Sequence, residues 1–379
     1  MNRLVRTEAG APGARGLEFG RARAELVAAT WDGYRRHLES GGLAGAEELG
    51  RWGEEALAAI AAWRPALVEE IEGIAAGSGV PAPAVAAVNA RTELLARVSR
   101  RRRGECTVLA SVAGDPGAPL AVQTWDWHEE LAGCWLVWGF VEAGSGMRVQ
   151  TLTEAGQLAK IGVNSAGLGL VINVLHHEAD ASVGLGVPIH VLLRTILAES
   201  ETIFDAVRLI GAAPVAASSA LTLVAAEAGE QTALTVELRP GAQPAYLLPD
   251  ADGVLMHTNH FLAPGAVAGD LEPSVGPDSM FRLELLRRRA RWPRPPAAAD
   301  LVAALGSHFG AGGAICCHPE PGAELGERYG TLATVVVEPA RGLLRFSDGG
   351  PCEAGENGWT EVFAAPENTT EEEKHVRAN

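Results

Sequence analysis

The sequence predicts an α+β protein in which antiparallel sheets are covered by helices. Three observations predict it. Apolar residues recur at three- and four-residue spacing through residues 20–98. The period then shifts toward two from Cys106 onward. Beyond that point strands come in runs with helices grouped between them, an order unlike the strict βαβ alternation of a doubly wound parallel sheet.

Taken in order, Ala22 to Leu38, Ala44 to Ala62 and Pro65 to Ile74 carry Leu, Ile, Val and Trp at helical spacing. Pro81 to Leu95 reads as a further helix, with proline near its first turn. The charged stretch Ser99 to Glu105 follows and is expected to be exposed. Thr107 to Val112, Leu120 to Trp127 and Trp135 to Val141 read as strands. Gly156 to Val163 and Leu168 to Leu175 form a hairpin through Asn164-Ser165-Ala166-Gly167. Two helices, Pro188 to Ala198 and Glu201 to Ile210, come next, with Ser200 placed to cap the second. Strands follow at Ala220 to Ala226, Gln231 to Leu238 and Leu255 to Thr258, then helices at Ser279 to Ala290 and Ala297 to Leu305. Strands at Thr331 to Glu338 and Leu343 to Ser347 close the pattern, and the polar tail from Pro366 reads as disordered. The expected organisation is a helical segment over 1–105, a sheet-rich catalytic region over 106–365 and a tail over 366–379.

Bulk properties exclude several functions. The 379 residues carry a net charge of −16, which disfavours binding to a phosphate backbone; the run Arg100 to Arg103 is too short to reverse it. No run of about eighteen apolar residues suggests a membrane span. The first twenty residues are polar and Gly/Arg-rich, without the apolar stretch of a secretory signal. Five cysteines, an odd number without regular spacing, fit a reducing compartment. A cytoplasmic protein with no nucleic-acid or membrane partner is expected.

The familiar catalytic and ligand-binding patterns are absent: there is no HExxH, no CxxC, no P-loop and no GxGxxG after a strand. Gly162-Val-Asn-Ser165-Ala-Gly167 misses the nucleophile-elbow spacing by one residue and sits in a hairpin. His176-His177-Glu178 and Cys316-Cys317-His318 contain metal-ligand types, but neighbours on a strand point to opposite faces, so no metal site is expected from either. Cys106 supports two readings. Most free cysteines are small buried hydrophobes. A cysteine opening a strand after an exposed linker also suits an N-terminal nucleophile, whose thiol attacks the preceding carbonyl and whose freed α-amine then serves as its base. The residues around Cys106 do not separate the two.

Several separated motifs do. Glu69-Glu-Ile-Glu-Gly-Ile-Ala-Ala-Gly77, Asn89-Ala-Arg-Thr-Glu93, Gly104-Glu-Cys-Thr107, Gln123-Thr-Trp-Asp-Trp127, Gly162-Val-Asn-Ser-Ala-Gly-Leu168, His257-Thr-Asn-His-Phe261 and Gly350-Pro-Cys-Glu353 occur in this order. As an ordered set over residues 15 to 360 they resemble the isopenicillin N acyltransferase family of self-processing cysteine hydrolases. The resemblance implies a four-layer αββα sandwich of two antiparallel sheets. It also implies self-cleavage between Glu105 and Cys106 into two fragments that stay associated. By position, Cys106 matches the nucleophile, Asp126 the carboxylate that orients its amine or thiol, and Asn259 the oxyanion-stabilising amide. Asn173 resembles a second oxyanion or substrate contact. No cofactor is implied; the substrate is a small amide or acyl thioester, with acyl-coenzyme A as a possible co-substrate. Glu105 stands where relatives carry Gly or Asp. Cys317 stands where related sequences carry an arginine, a charge that Arg282 or Arg328 would then have to supply. That substitution is the basis of the alternative, a catalytically lapsed binding protein on the same fold. A third alternative is a metal-dependent hydrolase using His176, His177 and the cluster at 316–318.

Overall fold

The computed structural model describes residues 2–8, 10–40, 45–98, 106–112, 119–180, 182, 184–310, 314–324 and 327–364. Glu105, the basic run at 100–103 and the tail 366–379 lie outside the described residues.

The helical part begins where the sequence reads least helical. After strand β1 (Leu4–Arg6), helix α1 spans Pro12–Ala22. Its glycines are the reason it packs. A Cβ on Gly16 would lie 2.0 Å from the Glu70 carbonyl oxygen, and one on Gly73 would lie 2.2 Å from that of Gly13. The backbones of α1 and α4 therefore touch directly, a contact that composition alone presents as a polar, glycine-rich leader. Helices α2 (Ala24–Ser40), α3 (Ala46–Trp63), α4 (Pro65–Ser78), α5 (Ala82–Asn89) and α6 (Arg91–Val98) follow. Proline opens α4, and Gly79 in the left-handed conformation (φ 78°) closes it. The helix expected over 81–95 is divided between α5 and α6 at Ala90.

The strands after Cys106 form two sheets. They are β2 (Thr107–Ser111), β3 (Leu120–His128), β4 (Trp135–Val141), β5 (Arg148–Glu154), β6 (Ile161–Asn164) and β7 (Leu168–Val174). After helices α7 (Ile189–Glu199) and α8 (Ile203–Ala212) come β8 (Ser219–Glu227), β9 (Glu230–Leu238), β10 (Ala245–Leu247) and β11 (Val254–His257). Helices α9 (Glu272–Val275), α10 (Asp278–Arg289) and α11 (Ala298–Leu305) precede β12 (Tyr329–Glu338), β13 (Leu343–Asp348), α12 (Ala354–Asn357) and β14 (Thr360–Phe363). One sheet has eight strands in the order β1-β4-β5-β6-β7-β8-β9-β10, and the other has six in the order β11-β2-β3-β12-β13-β14. Pairing is antiparallel throughout except at one edge, where β1 runs parallel to β4.

The sheets stack face to face, with β2, β3 and β12 against β6 and β7. Helices α7 and α8 cover the eight-stranded sheet, α10 and α11 cover the six-stranded one, and α5 joins the first helical layer through α7. The result is a four-layer αββα sandwich. Every residue of β3 is buried, because a strand covered on both faces has no solvent side. The sheets are joined chemically as well as by packing. The Gln123 side-chain amide donates to the Ile172 carbonyl at 2.6 Å, and its oxygen accepts from the Ile172 N–H at 3.1 Å.

Two local expectations are corrected. Thr202, not Ser200, caps α8, in a capping box with Asp205, while Ser200 ends α7. The run from Gly156 forms a strand only from Ile161, because Gly156 turns the chain with φ 96° and residues 155–160 carry the loop from β5. No described helix is long and apolar enough to cross a membrane.

Candidate active site

Cys106 lies immediately before β2 and is buried, with 6% of its surface exposed. Its thiol donates to the main-chain carbonyl of Asp126, 3.8 Å away on the neighbouring strand β3. Its own carbonyl oxygen accepts from Asn173 Nδ2 at 2.8 Å and from Arg282 Nη1 at 3.3 Å. Arg282 also donates from Nη1 to Thr107 Oγ1 at 3.0 Å and from Nη2 to Asn259 Oδ1 at 3.0 Å. All four candidate residues are thus gathered in one place: Cys106 and Asp126 on adjacent strands of one sheet, Asn173 on β7 of the facing sheet, and Asn259 just after β11. The Asn259 amide donates to the Val174 carbonyl at 2.9 Å, so both asparagines work at the end of β7.

Arg282 is one of the two arginines expected to stand in for the one that Cys317 replaces. It projects from α10, is buried, and is anchored by Asp278 at 3.2 Å. Arg328, the other candidate, pairs instead with Glu129 and is 38% exposed. Cys317 is tied by reciprocal bonds with Thr331 on β12, whose partner in the ladder is Asp126. His260 is a structural neighbour. Its Nδ1 meets Ser279 Oγ at 2.9 Å, the same hydroxyl that accepts from the Asn259 N–H. Burial, with His257 and Arg282 nearby, pushes its pKa down to about 4.

A pocket opens beside the thiol. Trp125, Trp127, Ile172 and Val174 supply apolar walls, and Arg91, Lys160, His190 and Asp126 supply polar ones. Sequence reasoning missed most of this polar group. Glu154 on β5 accepts from Arg91 Nε at 3.1 Å and also bonds Lys160 and Tyr34. The Arg91 guanidinium lies 4.1 Å from the Trp127 ring centroid, and the Lys160 ammonium lies 3.9 Å from that of Trp125. The Asn89–Glu93 motif is the connector: Asn89 bonds the backbone at Gly156 and Leu158, Arg91 bonds Glu154, and Glu93 accepts from the first N–H of α7 at 2.8 Å.

The electrostatics follow from burial. Burial and then the Asp126 carboxylate push the Cys106 thiol up to about 11, against the cations Lys160 and Arg282. Burial, then repulsion from Arg91, brings Lys160 down to about 7 despite Glu154. Burial pushes Glu154 upward, but Arg91 and Lys160 together outweigh it and hold the carboxylate at about 2. His190 is kept neutral by burial and by Arg91 and Lys160; with Nδ1 on the Ala159 carbonyl, its Nε2 has no partner among the described residues.

The two histidine-containing clusters singled out in the sequence resolve differently. His176 Nδ1 meets Glu272 and His177 Nε2 meets the Ala268 carbonyl, so they diverge, although both lie beyond the end of β7 rather than on a strand as expected. The expectation for residues 316–318 is corrected. They lie in a loop, not a strand, and Cys316 and His318 point to the same place as His308 and Cys352.

The four-layer αββα sandwich is the architecture of the N-terminal-nucleophile hydrolases, a class of amide-processing enzymes. Residues 113–351, more than half of the chain, match the pattern of one family within it. The chain belongs to that family, described as acyl-coenzyme A:6-aminopenicillanic acid acyl-transferase. The family's chemistry needs no cofactor, acyl-coenzyme A being a co-substrate. A curated relative, the 40 kDa form of acyl-coenzyme A:6-aminopenicillanic-acid-acyltransferase from Emericella nidulans, is 31% identical over 219 residues. The alignment covers 58% of this chain and 58% of that relative's length. Among solved structures, the penicillin V acylase of Agrobacterium tumefaciens is 16% identical with a TM-score of 0.43, covering 64% of this chain and 82% of that one. A mutant conjugated bile acid hydrolase of Clostridium perfringens is 10% identical with a TM-score of 0.40, covering 68% and 92%.

Proposed function

We propose that this chain is a self-cleaving cysteine acyltransferase or amide hydrolase whose nucleophile is Cys106. The observation that carries the reading is the wiring of Cys106: its carbonyl is held by Asn173 and Arg282, and the same guanidinium holds Asn259. In the maturation step the thiol attacks the Glu105 carbonyl. The C–N bond to Cys106 breaks, the amine takes the thiol proton, and a thioester forms. Water then cleaves the thioester, leaving a carboxylate on Glu105 and a free amine and thiol on Cys106.

A thiol pushed to about 11 is protonated at neutral pH, so turnover needs a base. The released α-amine, with an ordinary pKa of about 8, supplies it. Asp126 orients that amine. A substrate amide or acyl thioester enters against Trp125, Trp127, Ile172 and Val174, and the thiol adds to its carbonyl carbon. Asn259, with Asn173 as a second donor, stabilises the oxyanion. The leaving amine or thiol departs with the proton, and the acyl-enzyme passes its acyl group to water or to an amine. Acyl-coenzyme A fits as donor and a small acylated amine or peptide-like amide as substrate. A lapsed binding protein is not favoured, because Arg282 brings a guanidinium to the nucleophile without Cys317 contributing one.

The test is intact mass of the purified protein. Two associated fragments divided before Cys106, and a single chain in Cys106→Ala, are expected; an uncut wild-type chain under all conditions overturns the self-processing step. In the processed enzyme, Asn259→Ala is expected to lower kcat by about 10²- to 10³-fold, the usual cost of one oxyanion donor, and an unchanged kcat would remove Asn259 from that role.

A further inference from the structure

We infer that His308, Cys316, His318 and Cys352 form a structural metal site of the zinc type, separate from the nucleophile. The four ligand atoms all lie within 4.8 Å of one another. Their spacing is the argument. Tetrahedral zinc with Zn–S of about 2.3 Å and Zn–N of about 2.05 Å requires ligand edges of about 3.8 Å between sulfurs, about 3.5 Å between sulfur and nitrogen and about 3.3 Å between nitrogens. The sulfurs of Cys316 and Cys352 are 3.5 Å apart, and His318 Nε2 is 3.6 Å from one and 3.3 Å from the other. The two imidazole nitrogens, Nε2 of His318 and of His308, are 3.3 Å apart. Four of the six edges thus match the size that zinc needs, and the two from His308 to the sulfurs lie within 4.8 Å.

The alternatives explain less. The two cysteines are free thiols, and a separation of 3.5 Å is well beyond a disulfide length of about 2.05 Å. A disulfide would also leave unexplained why two imidazoles turn their Nε2 atoms toward the same point. The donors come from three separate segments: the stretch after α11, the loop at 314–320 and the turn before α12. The approach is built in at Gly350, where a Cβ would lie 2.5 Å from the Cys316 sulfur. Only a residue without that carbon lets the Cys352 turn close on Cys316. Cys316 is buried, while His308, His318 and Cys352 are exposed, so an ion can enter from solvent.

Four protein ligands leave no open position, which marks a structural rather than a catalytic ion, and the Cys2His2 set selects zinc over magnesium or calcium. Its task is legible from the next residue. Cys317 is bonded to Thr331, the ladder partner of Asp126. A metal at residues 316 and 318 pins that loop on both sides of Cys317 and so holds the edge of the strand pair that carries Asp126. The ion acts on the site through position alone.

The experiment is metal analysis of the full-length protein purified without chelators. About one zinc per chain is expected in the wild type and in Cys106→Ala, and loss of it in Cys352→Ser and His308→Ala. Wild-type protein stripped by chelator should have a lower Tm, regain it on adding zinc, and with cobalt(II) show the absorption of a tetrahedral thiolate complex. These wild-type measurements stand even if a variant fails to fold. Three results would each overturn the proposal: wild-type protein that stays metal-free after incubation with zinc and desalting, zinc content unchanged in the Cys352→Ser/His308→Ala double variant, or a Cys316–Cys352 disulfide in freshly purified metal-free protein. None of these readouts depends on whether Cys106 cleaves the chain.

Discussion

Two ionic clusters in this protein each gather two buried cations on one buried glutamate, for different ends. In one, Arg15 of α1 and Arg194 of α7 share Glu70 of α4 at 2.5 and 3.1 Å, and Glu142, just after β4, closes the group at 2.6 Å from Arg194. In the other, Arg91 and Lys160 share Glu154, with Tyr34 as a further donor. Both link the helical segment to the sheets. Neither Arg15 nor Arg194 lines the pocket, whereas Arg91 and Lys160 do. A guanidinium keeps its charge under burial, while an ammonium yields, and Lys160 comes down to about 7. One cluster is a clasp; the other is a clasp with a proton that can leave near neutrality, beside Cys106.

Glu70→Gln and Glu154→Gln should sharpen that contrast most. Glu154→Gln strands two buried cations and should cost roughly 3–5 kcal/mol in chemical denaturation, whereas Glu70→Gln leaves Arg15 and Arg194 paired with Glu142 and should cost less. With the remaining folded protein, only Glu154→Gln should change kcat/KM; an equal loss of activity in both would break the distinction. A smaller effect is expected in acid. The folded pKa of Glu154, about 2, lies below its ordinary 4.5. Its stabilisation is therefore complete above about pH 4.5 and fades as pH falls toward 2. Denaturation midpoints across that window should fall less steeply in Glu154→Gln than in wild type, and parallel curves would contradict the assignment. The smallest effect belongs to Lys160→Met. Wild-type kcat/KM should carry an inflection near pH 7, as rising pH removes a cation that favours the thiolate. The variant should lack it, at a cost of about tenfold or less, the worth of one pKa unit.

The order of strands and helices was legible because strands such as Trp135–Val141 are apolar runs bounded by turn residues and helices such as α3 keep a regular apolar face, while the layering came only with the family resemblance. It failed where a contact depends on what is missing from a side chain. Helix α1 packs through glycines that no hydropathy pattern registers. Strand β5 mixes Gln, Thr and Glu with its apolar residues, yet all but Arg148 are buried, because its polar groups serve the cluster and the core. The gathering of Cys106, Asp126, Asn173 and Asn259 was legible only through the ordered motifs. Arg282 was one of two arginines considered, and only the fold brings α10 over β2. The convergence of His308 and Cys352 on Cys316 was not legible, since the segments are far apart in sequence and match no standard ligand spacing.

Strand β1 runs beside β4, α1 reaches Glu142 after β4 through Arg15, and α4 reaches α7 through Glu70 and Arg194. If the chain is cut before Cys106, every one of these contacts changes its thermodynamic character. What had been the tertiary structure of one molecule becomes the interface of a heterodimer, and its integrity comes to depend on dilution. The N-terminal piece is then no leader to be discarded. It would be a subunit that delivers Arg91 to the pocket, and a cut enzyme diluted far enough would lose that arginine before it lost Cys106.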